Sequence, residues 1–252
     1  NIITYGVIAL SGSIYGIYHG LQSISIDQFH NLLGIFISAG ICFAVTNILS
    51  YIVFEYVDAG IATILSTLNI ITAVILSTLV IHEGLTAKQI IGALVIICAI
   101  QIIVSTSVSR YRHQRLWLAI TLSFAASLFF ALATTQEKIL LNNVNLQTYL
   151  VFGWGLQFIG VIAVVGIFGL FKNTNLSLIT NHKFVRKVMW AAVLRMLGGF
   201  MFIYSLKLAN NLSVISVWSG LKVVFASLFG IYLLGETKYP RRKLIAAFVA
   251  SL

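Results

Sequence analysis

Eight uninterrupted apolar runs of about twenty residues constrain this chain more than any other feature. They are Asn1 to Gly20, Leu32 to Phe54, Gly60 to Ile81, Lys88 to Thr106, Leu116 to Gln136, Thr148 to Phe171, Val188 to Leu208 and Leu212 to Leu234, and a ninth starts at Pro240. A hydrocarbon layer about 30 Å thick takes about 20 helical residues to cross, and only helices and closed barrels satisfy their backbone there. The runs therefore predict an all-α fold: a polytopic membrane helix bundle, with lipid bilayer as its main partner. Charged residues make up 9% of the chain and hydrophobic ones 60%, at a mean hydropathy of +1.01. A soluble domain carries about a quarter charged residues, so so few cannot cover a surface facing water.

The connections are short, Glu55 to Ala59 and Ala209 to Asn211 for example, so consecutive helices are expected to be antiparallel neighbours in one membrane domain. Thr86-Ala-Lys-Gln89 is a capping box that opens one helix, and Pro240 suits the first turn of another. Gly12, Gly16 and Gly20 recur every fourth residue and leave a small-residue face for close helix approach. The chain starts inside one apolar run and stops inside another, so it is expected to be a fragment at both ends, with no cleavable leader in the first run.

The net charge of +10 comes from short basic clusters between runs, not from a stripe with interleaved aromatics, which excludes nucleic acid as a partner. By alternation one side of the bundle holds Arg110, Arg112, Arg115, Lys172, Lys183, Arg186, Lys187, Lys238, Arg241, Arg242 and Lys243, and the other holds Lys88, Lys138 and Lys207. The positive-inside rule makes the first side cytoplasmic. Cys42 and Cys98 both lie in apolar runs and read as packing residues, with no disulfide framework and no CxxC metal site.

Enzyme signatures are lacking. His82-Glu83 has no second histidine at the spacing of a zinc helix, and neither a GxSxG elbow nor a phosphate-cradling GxxxxGK loop occurs. The carboxylates are too scattered for an acid/base pair. No catalytic residue, metal or cofactor is expected.

Sliding the chain on itself by 153 residues aligns its rare polar landmarks: Glu83 with Glu236, Tyr51 with Tyr204, Ser66 with Ser219, and Asn69 with Lys222. Two halves of five helices would run through the membrane in opposite directions, an inverted repeat with a site at the midplane. The halves are expected at 1–110, lacking an opening helix, and 116–252, with its last helix truncated, giving nine helices of an expected ten.

Asp58-Ala-Gly-Ile-Ala62, His82-Glu83-Gly-Leu-Thr86, Gln89-Ile-Ile-Gly92, Ala209-Asn-Asn-Leu-Ser213 and Leu234-Gly-Glu236 resemble the drug/metabolite transporter superfamily, in particular its EamA-type ten-helix carriers. The resemblance implies a carrier of ten helices with both ends cytoplasmic, which puts the basic loops outside, so orientation stays open between the two readings. Members often carry a proline in the helix before each Glu; here Asn69-Ile70 and Lys222-Val223 stand near that place, which leaves a kink open. Ser219-Gly-Leu-Lys-Val-Val-Phe-Ala226 is similar to the lysine-bearing ninth helix of nucleotide-sugar carriers, where the lysine implies contact with an anionic substrate; Asn69 stands at the matching first-half position.

A Lys or Arg at mid-depth costs about 2.5 to 3.5 kcal/mol on insertion scales, so Lys222 and Arg195 are the first candidates for a substrate site. Their functional reading is capture of a carboxylate or phosphate; the structural one is snorkelling by Arg195 and carbonyl bonding by Lys222. Trp218 and Ser219 share the face of Lys222, and Asn47 shares a face with Tyr51. The expected substrate-binding set is Lys222, Arg195, Asn69, Trp218, Ser219, Tyr204, Tyr51 and Asn47, with packing or interface anchoring as the rival role for the aromatics. Glu83 and Glu236 read as helix-end anchors, Glu137 as a last-turn residue, and His19 as a packed histidine.

The sequence thus predicts a multi-pass secondary transporter that moves a small polar or anionic metabolite by alternating access. It would sit in the cell membrane of a bacterium, or in the plasma membrane or an endomembrane of a eukaryote, and self-association into a homodimer is compatible with it. A membrane-embedded enzyme acting on a lipid-linked substrate and a non-transporting helical scaffold are the alternatives.

Overall fold

The computed structural model describes residues 2–21, 26–81, 84, 86–107, 113–171 and 182–209, together with 225, 228, 244, 245 and 248. Its elements are α1 (Ile2–His19), α2 (Ile26–Tyr56), α3 (Ala59–Leu65), α4 (Leu68–Leu76), a π-helical turn (Ser77–Ile81), α5 (Ala87–Ser107), α6 (His113–Asn143), α7 (Leu146–Phe171) and α8 (His182–Leu208). Every described element is helical. Six helical stretches are long and apolar enough to cross a membrane: Ile2–His19, Ile26–Tyr56, Ala59–Val80, Gln114–Asn143, Leu146–Ile167 and Phe184–Leu208. Leu194, Leu197 and Met201 form an exposed apolar stripe on α8, and Leu10, Ile14 and Ile17 another on α1. Such surface is covered by acyl chains, and the chain is an integral membrane protein.

Hydropathy placed the helices but cut several short. α2 starts at Ile26 where the apolar run starts at Leu32, α6 continues to Asn143 beyond Gln136, and α8 starts at His182, six residues before Val188. Helical hydrogen bonding runs along the backbone and continues there without apolar side chains. At 1.5 Å per residue, 31-residue helices such as α2 and α6 are about 46 Å long and outreach the hydrocarbon layer.

The local stops have local causes. Gly20 ends α1 in the left-handed conformation at φ +87°, which glycine takes without Cβ conflict. Asn145 starts α7: its Oδ1 accepts a 2.8 Å hydrogen bond from the Thr148 backbone N–H, an N-cap that lets α6 and α7 meet across two residues. α5 opens immediately after Thr86, where the capping box is expected.

Two compact units divide the chain: residues 1–45 with 136–209, and residues 46–135 with 210–252; α2 and α6 contribute to both. In the first unit α1 lies antiparallel to α7. Gly6 faces Phe158, Gly12 faces Trp154 and Leu150, and Gly16 faces Val151 and Gln147, so positions rise on one helix as they fall on the other. A Cβ at Gly12 would stand 2.6 Å from the Trp154 ring and 2.8 Å from the Leu150 carbonyl, which is why the backbones can approach so closely. Gly20, third of the glycine series, has nothing within 4 Å and serves as the helix stop instead. α2 runs parallel to α7, with Phe29 on Phe152, Phe36 on Tyr149, and a crossing where Gly40 meets Leu156 and Gly160. Tyr5, Ala44 and Val161 form the core there, with Phe158, Val164 and Val165 around it.

The second unit is built on Val53, Val57, Ile61, Ala62, Ile64, Leu65, Leu116 and Ala119, which join the end of α2, α3 and the start of α6. Hydroxyls link its helices: Thr46 donates to the Ala126 carbonyl at 3.4 Å and Thr72 to the Ser127 carbonyl at 3.0 Å. Small α6 side chains at 126 and 127 open that backbone to neighbours.

Candidate functional site

The third membrane span is interrupted, and the break falls beside Asn69. A single helix is expected over Gly60 to Ile81, but α3 stops at Leu65, residues Ser66 and Thr67 form a turn, α4 starts at Leu68, and a π-helical turn follows from Ser77. No proline is involved. The hydroxyls of Ser66 and Thr67 donate back to the carbonyls of Thr63 (2.7 Å) and Ile64 (2.6 Å), and the backbone shifts to i−3 bonds, Thr67 to Ile64, Asn69 to Ser66 and Ile70 to Thr67. Ser and Thr side chains that compete for i−3 and i−4 carbonyls bend helices, and a π turn further along re-phases the faces. The helical hydrogen-bond pattern is therefore interrupted there without a proline. Asn69 is half-buried at the first turn of α4, Asn47 is buried on α2, and Tyr51 is exposed one turn further.

Arg195 is the central residue of α8, thirteen from either end and so about 20 Å along the helix. Counted from Val188, where the apolar run starts, it is only seven residues in, because α8 begins six residues earlier, at His182. Its Nη2 donates to the Tyr5 hydroxyl at 2.9 Å, and its guanidinium carbon lies 5.0 Å from the centre of the Tyr5 ring. α1 thus supplies Arg195 with both a phenol and an aromatic face. Tyr204 is nine residues along α8, half a turn out of phase with Arg195, and it stacks on Phe200 with 46% of its surface exposed. The structure does not bring Tyr204 to Arg195. His19, read as a packed histidine, is instead exposed at the end of α1, where its ring meets those of Tyr15 and Tyr18 on the same helix.

Lys222, Trp218 and Ser219 lie outside the described residues, as do Glu83, Glu236 and Pro240. The described candidates divide between the units, with Arg195 and Tyr204 in the first and Asn47, Tyr51 and Asn69 in the second.

The sequence reading missed a buried polar group on α6. Glu137 is expected in a last turn, but α6 runs six residues past it and the carboxyl is 1% exposed. Its Oε1 accepts from the Tyr149 hydroxyl and, at 3.0 Å, from Gln157 Nε2; Gln157 also reaches the Tyr149 oxygen at 3.4 Å. Glu137 Oε2 is buried without a hydrogen-bond partner among the described residues. The signal was the apolar run that resumes at Ile139-Leu-Leu141, after Gln136-Glu137-Lys138.

Two lysines read as topology signals are structural clamps. Lys138 Nζ donates to the carbonyls of Leu206 (2.9 Å) and Ala209 (2.5 Å) at the end of α8, and Lys207 Nζ donates to Leu141 and, at 3.1 Å, to Val144 at the end of α6. Each ammonium supplies donors and positive charge to the other helix's C-terminal carbonyls. The shared end confirms that Lys138 and Lys207 lie on one side of the first unit. Among the described residues no group of three or more His, Cys, Asp or Glu could hold a metal ion.

The model of the EamA-like transporter family matches residues 1–105, a stretch that contains α1 to α4, the interrupted span and nearly all of α5. No curated protein matches the chain. The resemblance to the drug/metabolite transporter superfamily is therefore present over that stretch, and the family match makes a membrane transporter the functional class it indicates.

Proposed function

We propose that the chain is a secondary carrier that moves a small polar or anionic metabolite by alternating access, built as two inverted repeats over 1–110 and 116–252. The observation that carries this reading is the interrupted third span. Irregular backbone at membrane depth occurs where it is buried in protein or lines a cavity, and in carriers the substrate site is typically formed by such discontinuous helices. Ser66, Thr67 and Asn69 stand at that break, and the residues 153 further on are Ser219, Gly220 and Lys222.

The antiparallel pairing of α1 with α7 supports the repeat, since 153 residues separate Ile2–His19 from residues 155–172, most of which are in α7. Inverted counterparts must run in opposite directions through the membrane. Arg195 at the centre of α8 supports an anionic cargo: a guanidinium offers a planar fork of donors matched to carboxylate or phosphate. Lys222, outside the described residues, is the second cation the sequence offers to an anionic cargo, with Trp218 and Ser219 four and three positions before it in the chain.

Flux in liposomes tests the proposal. The full chain is reconstituted and challenged with dicarboxylates, sugar phosphates and nucleotide sugars at equal pH on both sides. A carrier accumulates or exchanges at least one of these, and Lys222→Ala and Arg195→Ala each lower the flux about tenfold, the effect of about 1.4 kcal/mol. Turnover of a lipid-linked substrate without flux establishes the enzyme instead, and neither activity leaves the scaffold.

A further inference from the structure

We propose that Glu137 is a proton-binding site of the transport cycle, an inference that rests on the carrier reading above. The two carboxylate oxygens of Glu137 have different surroundings. Oε1 takes the hydrogen bonds of Tyr149 and Gln157, while Oε2 is sealed from solvent and has no partner among the described residues. An ionised carboxylate in this pocket leaves a charged oxygen without a donor, an arrangement that proteins avoid by neutralising the group or by opening to water. A protonated carboxyl keeps Oε1 as the acceptor of both bonds and carries its proton on Oε2. The packed arrangement thus holds the protonated form, and release of the proton to water requires the α6–α7 contact to open.

The groups around Glu137 define what it binds. Tyr149 on α7 is the titratable side chain in contact with it, and Phe36 of α2 stacks on that ring at 6.2 Å. Lys138, the next residue on α6, and Lys207 on α8 have ammonium groups that donate to backbone carbonyls at the helix ends. A metal cation needs several oxygen ligands, six to eight for calcium. Among the described residues Glu137 is hydrogen-bonded by one phenol and one amide nitrogen, and a proton is the ligand that such a site can take.

The cycle balances simply. Bulk water on one side of the membrane supplies a proton to Oε2, the packed state carries it as a neutral carboxylic acid, and bulk water on the other side accepts it when the contact opens. Because the protonated and ionised forms favour different packing of α6 on α7, protonation shifts the conformational equilibrium, which is what coupling requires.

Two measurements on the full chain in liposomes test this. Infrared difference spectra, recorded without any solute while pH is raised from 5 to 9, should show a carboxylic-acid carbonyl band that disappears. The band should be missing in Glu137→Gln and should change frequency in Tyr149→Phe, which removes a hydrogen bond to Oε1. An identical band in Glu137→Gln, or no titrating carboxyl at all, overturns the proposal. In the second measurement, the anion flux described above is compared with and without an imposed pH gradient. The ratio should be tenfold or more in the parent and should fall to one in Glu137→Gln; an equal ratio in both overturns proton coupling even if solute moves. If no solute moves, the carrier reading fails and the cycle with it, while the infrared band still decides whether Glu137 binds a proton.

Discussion

Replacing Lys138 by Met asks how much a buried ammonium contributes where two helix ends meet. Lys138 is 5% exposed and gives two hydrogen bonds, at 2.9 and 2.5 Å, to the carbonyls of Leu206 and Ala209. Hydrogen bonds from a charged donor contribute about 1.5 to 3 kcal/mol each, so the gross loss is about 3 to 6 kcal/mol. Methionine fills nearly the same volume and removes the cost of burying a charge, which offsets part of that loss. The net destabilisation expected is about 2 to 4 kcal/mol. For a chain of this size each kcal/mol moves the midpoint by about 2 to 4 °C, so thermal unfolding in detergent should start roughly 5 to 15 °C lower. Lys207→Met should behave similarly, because its ammonium clamps the end of α6. Both clamps join the same two helix ends, so the double variant should lose less than the two single losses together, a coupling of about 0.5 kcal/mol or more. An unchanged midpoint in Lys138→Met, or strictly additive losses, refutes the reciprocal clamp.

Further outcomes follow from other contacts. Gly12→Val forces side-chain atoms into the Trp154 ring and the Leu150 carbonyl and should sharply lower the yield of folded protein in detergent, whereas Gly34→Val, with nothing within 4 Å, should match the parent in size-exclusion profile. Gly20→Ala should cost about 1 kcal/mol in thermal unfolding, because alanine at φ +87° is strained although space is open. Replacing Ser66 and Thr67 together by alanine removes both back-bonding hydroxyls and should shift the third span toward a continuous helix. Anion flux should then fall at least tenfold while the folded yield stays within twofold of the parent.

Hydropathy alone located the described spans, because transfer into lipid acts on each side chain separately and needs no knowledge of neighbours. It could not place helix ends. His182 to Arg186 continue α8 through five residues that include His182, Lys183 and Arg186, since the backbone hydrogen bonds that extend a helix do not depend on apolar side chains. Asn69 was singled out as a rare polar residue, yet the break beside it was invisible, because Ser66 and Thr67 bend a helix only when their hydroxyls turn back to Thr63 and Ile64.

Glu137 and Lys138 show the same division at closer range. One-dimensional reading treats adjacent polar residues as the end of an apolar run, and by that rule both belonged at an interface. Residues 12 to 71 positions away complete their environment: Tyr149 and Gln157 for the acid, Leu206 and Ala209 for the base. The sequence by itself determined that this chain lives in a bilayer, about where it crosses, and which side chains are costly there. Only tertiary structure decided what those side chains meet, since the free energy of a buried polar group depends on donors and acceptors that other helices bring within about 3 Å of it.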